Sequence, residues 1–214
     1  HVQVAEALDG LALILKSMGD PPAARQKLER ALAIMKRRNL DQTPGTANIM
    51  NDLGLVQLLM GRRAEAREQF SNALELWEKT RGPDHPSVAR VLYNLGSLAN
   101  QSGDYITGRV YFDRALSIRE KALGPDHPDV AATLIGLANS WKGRRDYRKA
   151  EPFYRRAIAI HERAFGSRHP VVAVDLHNLA GLLIENGDIE AALDTALVVE
   201  DITREHFRLM ARAL

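Results

Sequence analysis

Cysteine is absent from the 214 residues of this chain. Disulfide bonds, thiolate metal sites and a cysteine nucleophile are therefore excluded, and the composition fits a reducing compartment. Aromatic residues make up only 6% of the chain, while alanine and leucine dominate, which favours helices. Neither sign of charge prevails, since 29 Lys and Arg accompany 27 Asp and Glu. This balance gives no compositional indication of nucleic-acid binding.

Long apolar runs are also missing. Leu11 to Leu15 is typical of the longest run, far short of the roughly 18 residues that a membrane span needs. The chain does not open with a signal peptide, so we expect a cytoplasmic protein without a membrane partner. Because residue 1 is His1 and not methionine, we also expect a fragment of a longer protein.

A short phrase recurs at a fixed spacing. Gly-Pro-Asp-His-Pro begins at Gly82 and Gly124, and a weaker version begins at Gly166, so each copy starts 42 residues after the previous one. Such self-similarity indicates a repeat architecture. We therefore predict five repeats and a short C-terminal helical extension. The repeats cover residues 1–39, 40–81, 82–123, 124–165 and 166–207, and the extension covers 208–214.

Each repeat is predicted to contain two helices. In the third repeat, apolar residues from Val88 to Leu98 recur every three or four positions, as do those from Tyr105 to Ala122. This is the period of an amphipathic helix. Gly103 lies between the two stripes, where a glycine can end a helix in the left-handed conformation. The fourth repeat carries Arg145 at the equivalent position.

Small and large residues alternate in columns across the repeats. Two small columns are Ala12, Gly54, Gly96, Ala138, Ala180 and Ala24, Ala66, Gly108, Ala150, Ala192. A leucine column is Leu11, Leu53, Leu95, Leu137, Leu179. One helix pair cannot bury both of its apolar stripes, so the pairs must stack on each other. We predict an all-α fold, a right-handed solenoid of five antiparallel helix pairs with one continuous core.

These columns resemble the tetratricopeptide repeat over nearly the whole chain. The 42-residue period and the phrase that runs from Gly124 to Ala131 are similar to the kinesin light chain type of this repeat. A narrower resemblance concerns the segment from Glu200 to Leu209. It is similar to the junction in bacterial proteins whose repeats precede a caspase-like (CHAT) peptidase domain.

The resemblance implies a non-catalytic scaffold that binds a protein or peptide. The favoured context is the sensor or regulatory arm of a larger bacterial protein. Two alternatives stay open. One is a cargo-type adaptor like a kinesin light chain, and the other is the regulatory fragment of a caspase-like peptidase whose catalytic domain lies outside this chain.

In tetratricopeptide arrays the first helix of each pair lines the concave surface, so the resemblance also implies a set of partner-binding positions. Asparagine can donate and accept hydrogen bonds at once, and Arg90 and Lys142 can bind an acidic group. Leu55, Leu58 and Leu59 lie outside the core stripe of their helix, which we assign to Met50, Leu53 and Val56. They therefore indicate either a contact surface or packing on a neighbouring pair. The expected positions are Asn48, Asn51, Leu55, Leu58, Leu59, Arg90, Tyr93, Asn94, Ser97, Asn100, Gln101, Ile135, Asn139, Lys142, Val174, His177 and Asn178.

The end of the chain predicts a second contact region. Neither proline nor glycine occurs from Asp188 to Leu214, which predicts one helix of about 27 residues, or about 40 Å. The last repeat of a solenoid normally turns a polar face outward, yet this helix keeps an apolar stripe. We therefore expect a docking tail that contacts a following domain or a second copy of the chain. Its residues are His206, Leu209, Met210 and Ala213.

Catalytic and metal-binding motifs are not evident. His161 and Glu162 begin a zinc-protease motif, but Phe165 occupies the place of its second histidine. His85, His127 and His169 occupy equivalent positions in successive repeats, too far apart to share an ion, so we expect them in loops or helix caps. We predict no enzyme activity, no metal and no cofactor.

A dense basic cluster is the remaining feature. We interpret it as a solvated turn and outer helix face, because a nucleic-acid site needs a continuous basic stripe with stacking aromatics. No nucleic-acid partner is therefore expected. The cluster consists of Arg144, Arg145, Arg148, Lys149, Arg155 and Arg156.

Overall fold

The computed structural model describes residues 2–212, and its regular secondary structure in that range is entirely α-helical. The helices follow one another as five pairs, which confirms the predicted all-α class. We call the first helix of each pair helix A and the second helix B. The pairs are α1 (Val2–Ser17) and α2 (Pro21–Arg37), α3 (Pro44–Leu59) and α4 (Arg63–Arg81), α5 (Pro86–Gln101) and α6 (Tyr105–Leu123), α7 (Pro128–Gly143) and α8 (Tyr147–Phe165), and α9 (Pro170–Asn186) and α10 (Ile189–Arg212).

The chain forms two compact units, residues 1–98 and 99–214. The structure describes the first unit from residue 2 and the second up to residue 212. No helix in that range is long and apolar enough to cross a membrane. We propose five repeats, the first of 39 residues and the other four of 42, each built around one helix pair, with an extension at 208–214.

The histidines of the repeated phrase form helix caps, as expected. His127 and His169 are the N-cap residues of α7 and α9, and a proline follows each at the first helical position. The Nδ1 atom of His127 accepts a hydrogen bond from the backbone N–H of Asp129 (3.1 Å), and His169 accepts one from Val171 (3.2 Å). Each ring thereby pairs a backbone donor that the helix leaves without a partner.

Left-handed residues make the turn between the helices of a pair. Gly103 has a φ of 78° and Gly187 one of 87°, while Arg145 adopts a φ of 59° at the equivalent position. Glycine reaches this region without steric cost, whereas any residue with a Cβ is strained there. The fourth repeat thus keeps the same turn although Arg145 stands in place of the glycine.

The last helix is longer than its counterparts. The helices α4, α6 and α8 have 19 residues each and end before a glycine, whereas α10 has 24. Arg208 stands where Gly82, Gly124 and Gly166 end the other B helices. Without that glycine the helix continues to Arg212, as predicted, and Ala213 and Leu214 lie outside the described residues.

The first unit packs its core between α1, α2 and α3. Ala24, Leu28 and Ala31 are fully buried there, and Ile49 and Leu53 of α3 pack with them. The assignment of Met50 to the core stripe of α3 was wrong. Ile49 is 2% exposed and occupies that place, while Met50 is half-buried. Ile49 points inward because it lies four residues before Leu53, which lies three residues before Val56, and this is the spacing of one helical face.

The second unit packs its core in the same way. Leu137 is 0% exposed and Leu179 is 2% exposed. Tyr154 of α8 fills the space beside Ala138 and Leu179 in one apolar cluster. Small residues of helix A therefore admit the large rings of helix B, as the columns predict.

Four positions of each helix A form what we call the insertion stripe. In α3, α7 and α9 every residue of the stripe is buried, and α3 packs on α2, α7 on α6 and α9 on α8. The helix pair before each of these helices therefore covers its stripe. The residues are Thr46, Ile49, Leu53 and Val56 in α3, Val130, Thr133, Leu137 and Ser140 in α7, and Val172, Asp175, Leu179 and Leu182 in α9.

The stripe of α1 differs, and this corrects the expectation that Leu11 fills a core position. Leu11 is 41% exposed, Val4 is 41% exposed and Ile14 is 56% exposed, while Ala7 is also exposed. Within residues 2–212, α1 packs mainly on α2 and less extensively on α3, and neither contact buries the stripe. The leucine column is thus buried only where a helix pair precedes it.

This difference predicts unequal effects of one substitution at two positions of the column. Leu137→Ala should lower the free energy of unfolding by about 2–5 kcal/mol, because it leaves a cavity in a packed site. Leu11→Ala is the matched control and should cost less than half as much, since its side chain is already partly in water. Urea unfolding followed by circular dichroism measures both, and equal losses would contradict the burial of the stripe.

Candidate partner-binding surfaces

Helix A residues of neighbouring repeats are joined by hydrogen bonds in the first unit. The Arg90 guanidinium donates to Asn48 Oδ1 (2.5 Å), and Asn94 Nδ2 donates to Asn51 Oδ1 (2.8 Å). Asn51 is only 1% exposed, and its own Nδ2 donates to Asp52 Oδ1 (3.0 Å). Asn51 therefore has no side-chain surface for a partner, contrary to the expectation, and its amide holds two repeats together.

The remaining first-unit positions are all at least partly accessible. Leu59 is 62% exposed, Arg90 is exposed, and the others are half-buried, namely Asn48, Leu55, Leu58, Tyr93, Asn94 and Ser97. A carboxylate that the sequence did not indicate lies beside them. Burial, with a contribution from Asp52, raises the pKa of Asp9 to about 6, although Arg90 and Lys16 oppose the shift.

The second unit contains a polar cleft of about 460 Å³. Four of its residues were predicted from the sequence, and they come from α5 and α7. Four others were not predicted, and they come from the start of α6, the last residue of α7, the turn after it and the end of α9. The first group is Asn100, Gln101, Asn139 and Lys142, and the second is Tyr105, Gly143, Arg145 and Glu185.

Two asparagines of the cleft are held by contacts on their inner side. Asn100 Nδ2 donates to the backbone oxygen of Gly136 (3.2 Å), and Ser140 Oγ donates to Asn100 Oδ1 (3.0 Å). The hydroxyl of Tyr154 donates to Asn139 Oδ1. Burial raises the pKa of Tyr154, and Glu185 adds to the shift, so this hydroxyl stays protonated and able to donate. The bond occupies the Oδ1 acceptor of Asn139, which is exposed and lines the cleft.

Charged groups of both signs line the same cleft. Lys142 Nζ lies 3.1 Å from Glu185 Oε1, and Arg145 contributes a second cation. Both members of the ion pair are partly exposed, so the pair is exchangeable with charges on a ligand. Fixed amides beside an exchangeable ion pair can bind the backbone and one charged group of an extended segment.

The 42-residue register could have predicted two of the four cleft residues that the sequence did not indicate. Gly143 and Glu185 lie one and two repeats after Gln101, which was among the predicted positions, so the same column identifies them. Tyr105 and Arg145 belong to helix B and to a turn, which a rule restricted to helix A omits. The ring of Tyr105 occupies the space beside Gly143, where an added Cβ would lie 2.3 Å from it.

The remaining predicted positions fall elsewhere in the second unit. Ile135 is half-buried and packs against the apolar clusters of α7 to α9, and Asn178 is also half-buried. Val174 is 60% exposed, and with His177 it lines a mainly apolar groove of about 300 Å³. We call this the α9–α10 groove, and its lining residues are Pro170, Ala173, Val174, His177, Val199, Ile202, Thr203, His206 and Phe207.

The docking tail lies partly in this groove. His206 lines it, whereas Leu209 and Met210 are 57% and 55% exposed on the following turn of α10. Ala213 lies outside the described residues. The structure therefore places an apolar groove and exposed apolar side chains next to each other on the last helix.

A buried ionisable pair joins α8 to α9. His161 Nδ1 lies 2.5 Å from Asp175 Oδ2, and the two residues are 6% and 2% exposed. Burial raises the pKa of Asp175, and the hydrogen bond from His161 only partly offsets this. Because neither group is accessible to a substrate, the pair is structural. Among residues 2–212, no group of three or more His, Asp or Glu side chains is placed to hold a metal ion.

Four of the six residues of the basic cluster contact local partners. Arg144 and Lys149 lie over the ring of Trp141, at 5.3 and 4.6 Å from its centroid. Lys149 also pairs with Asp146, Arg155 with Glu151, and Arg156 with Glu120. The cluster thus forms cation–π contacts and surface ion pairs within its own unit.

These features define a helical-repeat protein whose A helices contribute to both polar and apolar surfaces. The chain belongs to the tetratricopeptide repeat family, whose model matches residues 3–71, 45–107, 92–160 and 141–205. The predicted family and solenoid fold are thereby confirmed. Repeat scaffolds of this family typically mediate protein–protein interactions.

Solved structures show the same fold. A kinesin light chain-like protein of Podospora anserina with nearly identical TPR-like repeats has a TM-score of 0.84 and 22% identity, over 97% of this chain and 98% of that one. BtubC (BKLC) of P. vanneervenii has a TM-score of 0.85 and 21% identity, over 96% of this chain and 82% of that one. Pseudomonas aeruginosa pilF has a TM-score of 0.69 and 18% identity, over 93% and 76%. No curated protein sequence matches the chain.

The buried pair predicts a pH-dependent difference between two variants. A carboxyl whose pKa is raised by folding stabilises the fold only while protonated, so its contribution is lost as the pH rises through that raised value. Asp175→Asn keeps an acceptor for His161 but cannot ionise. Its free energy of unfolding, relative to the unchanged protein, should therefore rise as the pH increases from the ordinary range of an aspartate through the raised pKa of Asp175.

Urea unfolding at several pH values measures this difference. Carboxyl groups that both proteins share contribute equally to the two free energies of unfolding, so their contributions cancel. Asp194→Asn, on the exposed face of α10, is the matched control. A difference for Asp175→Asn that stays constant with pH would contradict the account.

Proposed function

We propose that this chain is a non-catalytic scaffold whose second-unit cleft binds an extended segment of a partner protein. The observation that carries the proposal is the set of pre-positioned polar groups in the cleft. Asn100 is fixed by Gly136 and Ser140, and Asn139 is fixed by Tyr154. Amides that are already oriented lose little side-chain entropy on binding, which favours recognition of a peptide backbone.

The charges of the cleft add selectivity to this proposal. An acidic side chain of the ligand can replace Glu185 beside Lys142, and Arg145 provides a further donor. A carboxylate that gains such a partner in a partly buried site forms a stronger, charge-assisted hydrogen bond. We therefore expect the bound segment to combine an extended backbone with at least one acidic residue.

The first unit carries a separate surface in the same proposal. It consists of exposed Leu59 and Arg90 with their half-buried helix A neighbours, and Asn51 is removed from it. Val174, His177 and Asn178 of α9 remain proposed contacts of the second unit. An exposed leucine at the end of α3 and a hydrogen-bonded Arg90–Asn48 pair near its start suit a partner with mixed apolar and polar side chains.

The proposal also includes the biological context of the chain. The favoured role is the sensor or regulatory arm of a larger bacterial protein in the cytoplasm, and the resemblance of Glu200 to Leu209 to a CHAT-associated junction supports it. A cargo-type adaptor is the second candidate, supported by the fold shared with a kinesin light chain-like protein. The tail from His206 to Met210, with Ala213, is proposed to contact a following domain or a second copy.

A triple variant tests the cleft. Gln101→Ala, Asn139→Ala and Lys142→Ala together remove the three predicted groups that lie on its solvent side. Peptides selected from a random phage-displayed library on the unchanged protein should bind this variant at least about tenfold more weakly, because three hydrogen-bonding groups are lost. Binding is measured by fluorescence anisotropy with labelled forms of the selected peptides.

The matched control carries three substitutions on the outer face of α8, Arg148→Ala, Glu151→Ala and Arg155→Ala. It should bind the peptides as the unchanged protein does, and both variants should keep their helicity by circular dichroism. Peptides that bind the cleft variant and the unchanged protein equally well would place the ligand site elsewhere and overturn the proposal.

A further inference from the structure

Three cations from different parts of the second unit surround one tryptophan ring. Arg109 Cζ of α6 lies 4.9 Å from the ring centroid of Trp141. Arg144 Cζ lies 5.3 Å from the same centroid, and Lys149 Nζ lies 4.6 Å from it. We call these four residues the Trp141 cation site. Because the three charged groups surround one point, any two of them are at most about 10 Å apart and repel each other.

The chain neutralises this site only in part. Among the described residues, the side chains of Arg109 and Arg144 form no hydrogen bond and no ion pair, and Arg109 Nε is buried without a partner. Lys149 Nζ pairs with Asp146 (2.6 Å), and Asp113 interacts electrostatically with Arg109. Three cations therefore face two carboxylates, and the indole ring adds only cation–π attraction.

The Trp141 cation site is not required by the repeat fold. The equivalents of Trp141 one repeat earlier and one repeat later are Ala99 and Leu183. Both are buried in their helix pairs, whereas the ring of Trp141 is only half-buried. The equivalent of Arg109 one repeat later is Glu151. The same junction of helices thus packs without a tryptophan and without converging cations, so the site is a surface feature of one repeat.

The site adjoins the polar cleft. Its residues Trp141 and Arg144 enclose the cleft residues 142–143 along the chain. On α6, Arg109 lies about one helical turn after Tyr105, which also lines the cleft. An extended segment in the cleft can therefore place one of its side chains at the Trp141 cation site.

We propose that the Trp141 cation site binds the phosphate group of a phosphorylated side chain in the segment that the cleft binds. The inference rests on the proposed function and adds the class of the partner, a phosphorylated protein. A phosphate carries nearly two negative charges and three acceptor oxygens, so it can accept hydrogen bonds from two guanidinium groups and an ammonium group at once. A carboxylate has one charge and two oxygens, and Lys142 of the cleft is already available for it.

The exposure of the cations suits this task. Arg144 and Lys149 are exposed, so their long side chains can turn toward an anion, while Arg109 is half-buried against the ring. Arginine binds phosphate through two parallel hydrogen bonds. A bound phosphate also replaces the repulsion among the cations by attraction to a shared anion. Clusters of arginine are a general means of recognising phosphorylated segments.

Synthetic peptide pools provide the probe. One pool has phosphoserine fixed at its centre and random residues on both sides, and a parallel pool has phosphotyrosine there. The best peptides that the unchanged protein retains from at least one pool should bind about tenfold or more tightly with the phosphate than without it, measured by fluorescence anisotropy. Glutamate in place of the phosphorylated residue should recover only a small part of this gain.

Two substitutions outside the cleft remove the guanidinium groups. In the double variant Arg109→Gln and Arg144→Gln, phosphorylated and unphosphorylated forms should bind equally, and the unphosphorylated peptides selected by phage display should bind as they bind the unchanged protein. The matched control is Arg63→Gln with Arg67→Gln on exposed positions of α4, which removes the same charge and should keep the full gain. Arg67 is the register equivalent of Arg109.

Circular dichroism checks the helicity of both variants. If the double variant has lost helicity, Arg144→Gln alone replaces it, because this side chain is exposed in a turn. It should reduce the gain from the phosphate by about threefold or more, since one of the two guanidinium groups is lost.

This inference and the proposed function fail in different ways. A phosphate that adds nothing, a gain that persists in the double variant, or full recovery by glutamate would overturn the inference and leave the cleft proposal intact. Peptides that bind the cleft triple variant as tightly as the unchanged protein would overturn the cleft proposal, and the inference with it. A labelled oligodeoxythymidine strand that binds as tightly as the phosphorylated peptides, and is lost in the double variant, would assign the site to nucleic acid.

Discussion

Burial of the insertion stripe of each helix A by the preceding helix pair is the interaction on which the rest of the structure depends. A single helix pair leaves that stripe in water, and covering one leucine contributes about 1.5–3 kcal/mol. Leu137 is 0% exposed and Leu179 is 2% exposed under a preceding pair, while Leu11 without one is 41% exposed. Stability is therefore a property of neighbouring pairs, as in other repeat proteins.

The same constraint positions the groups proposed to bind a partner. On α7, the stripe residues Thr133, Leu137 and Ser140 are buried, and Asn139 and Lys142 lie on the opposite side of the helix, in the cleft. The hydroxyl of buried Ser140 also donates a hydrogen bond to Asn100 Oδ1 and so orients this residue of the cleft. Because helix A is fixed by its buried stripe, its polar face is held in one orientation, which lowers the entropic cost of binding.

Periodicity alone could predict the helix pairs, the capping histidines and the long last helix, because each follows from local residue types in a fixed register. It could not predict contacts that depend on what a neighbour supplies. Asn51 is buried because Asn94 of the next repeat binds it, and Leu11 is exposed because no described pair covers it. Tyr105 and Arg145 line the cleft from helix B and a turn, which a helix A pattern does not describe.

The most direct test of this account uses the absence of cysteine, which makes an introduced thiol unique. Ala7→Cys and Thr133→Cys place thiols at the same stripe position, exposed in α1 and 0% exposed in α7. At dilute protein concentration, the rate of thiol labelling should be about a hundredfold lower at position 133, because labelling there requires local opening of the array. Equal labelling rates at the two positions would contradict the claim that each helix pair covers the stripe of the next.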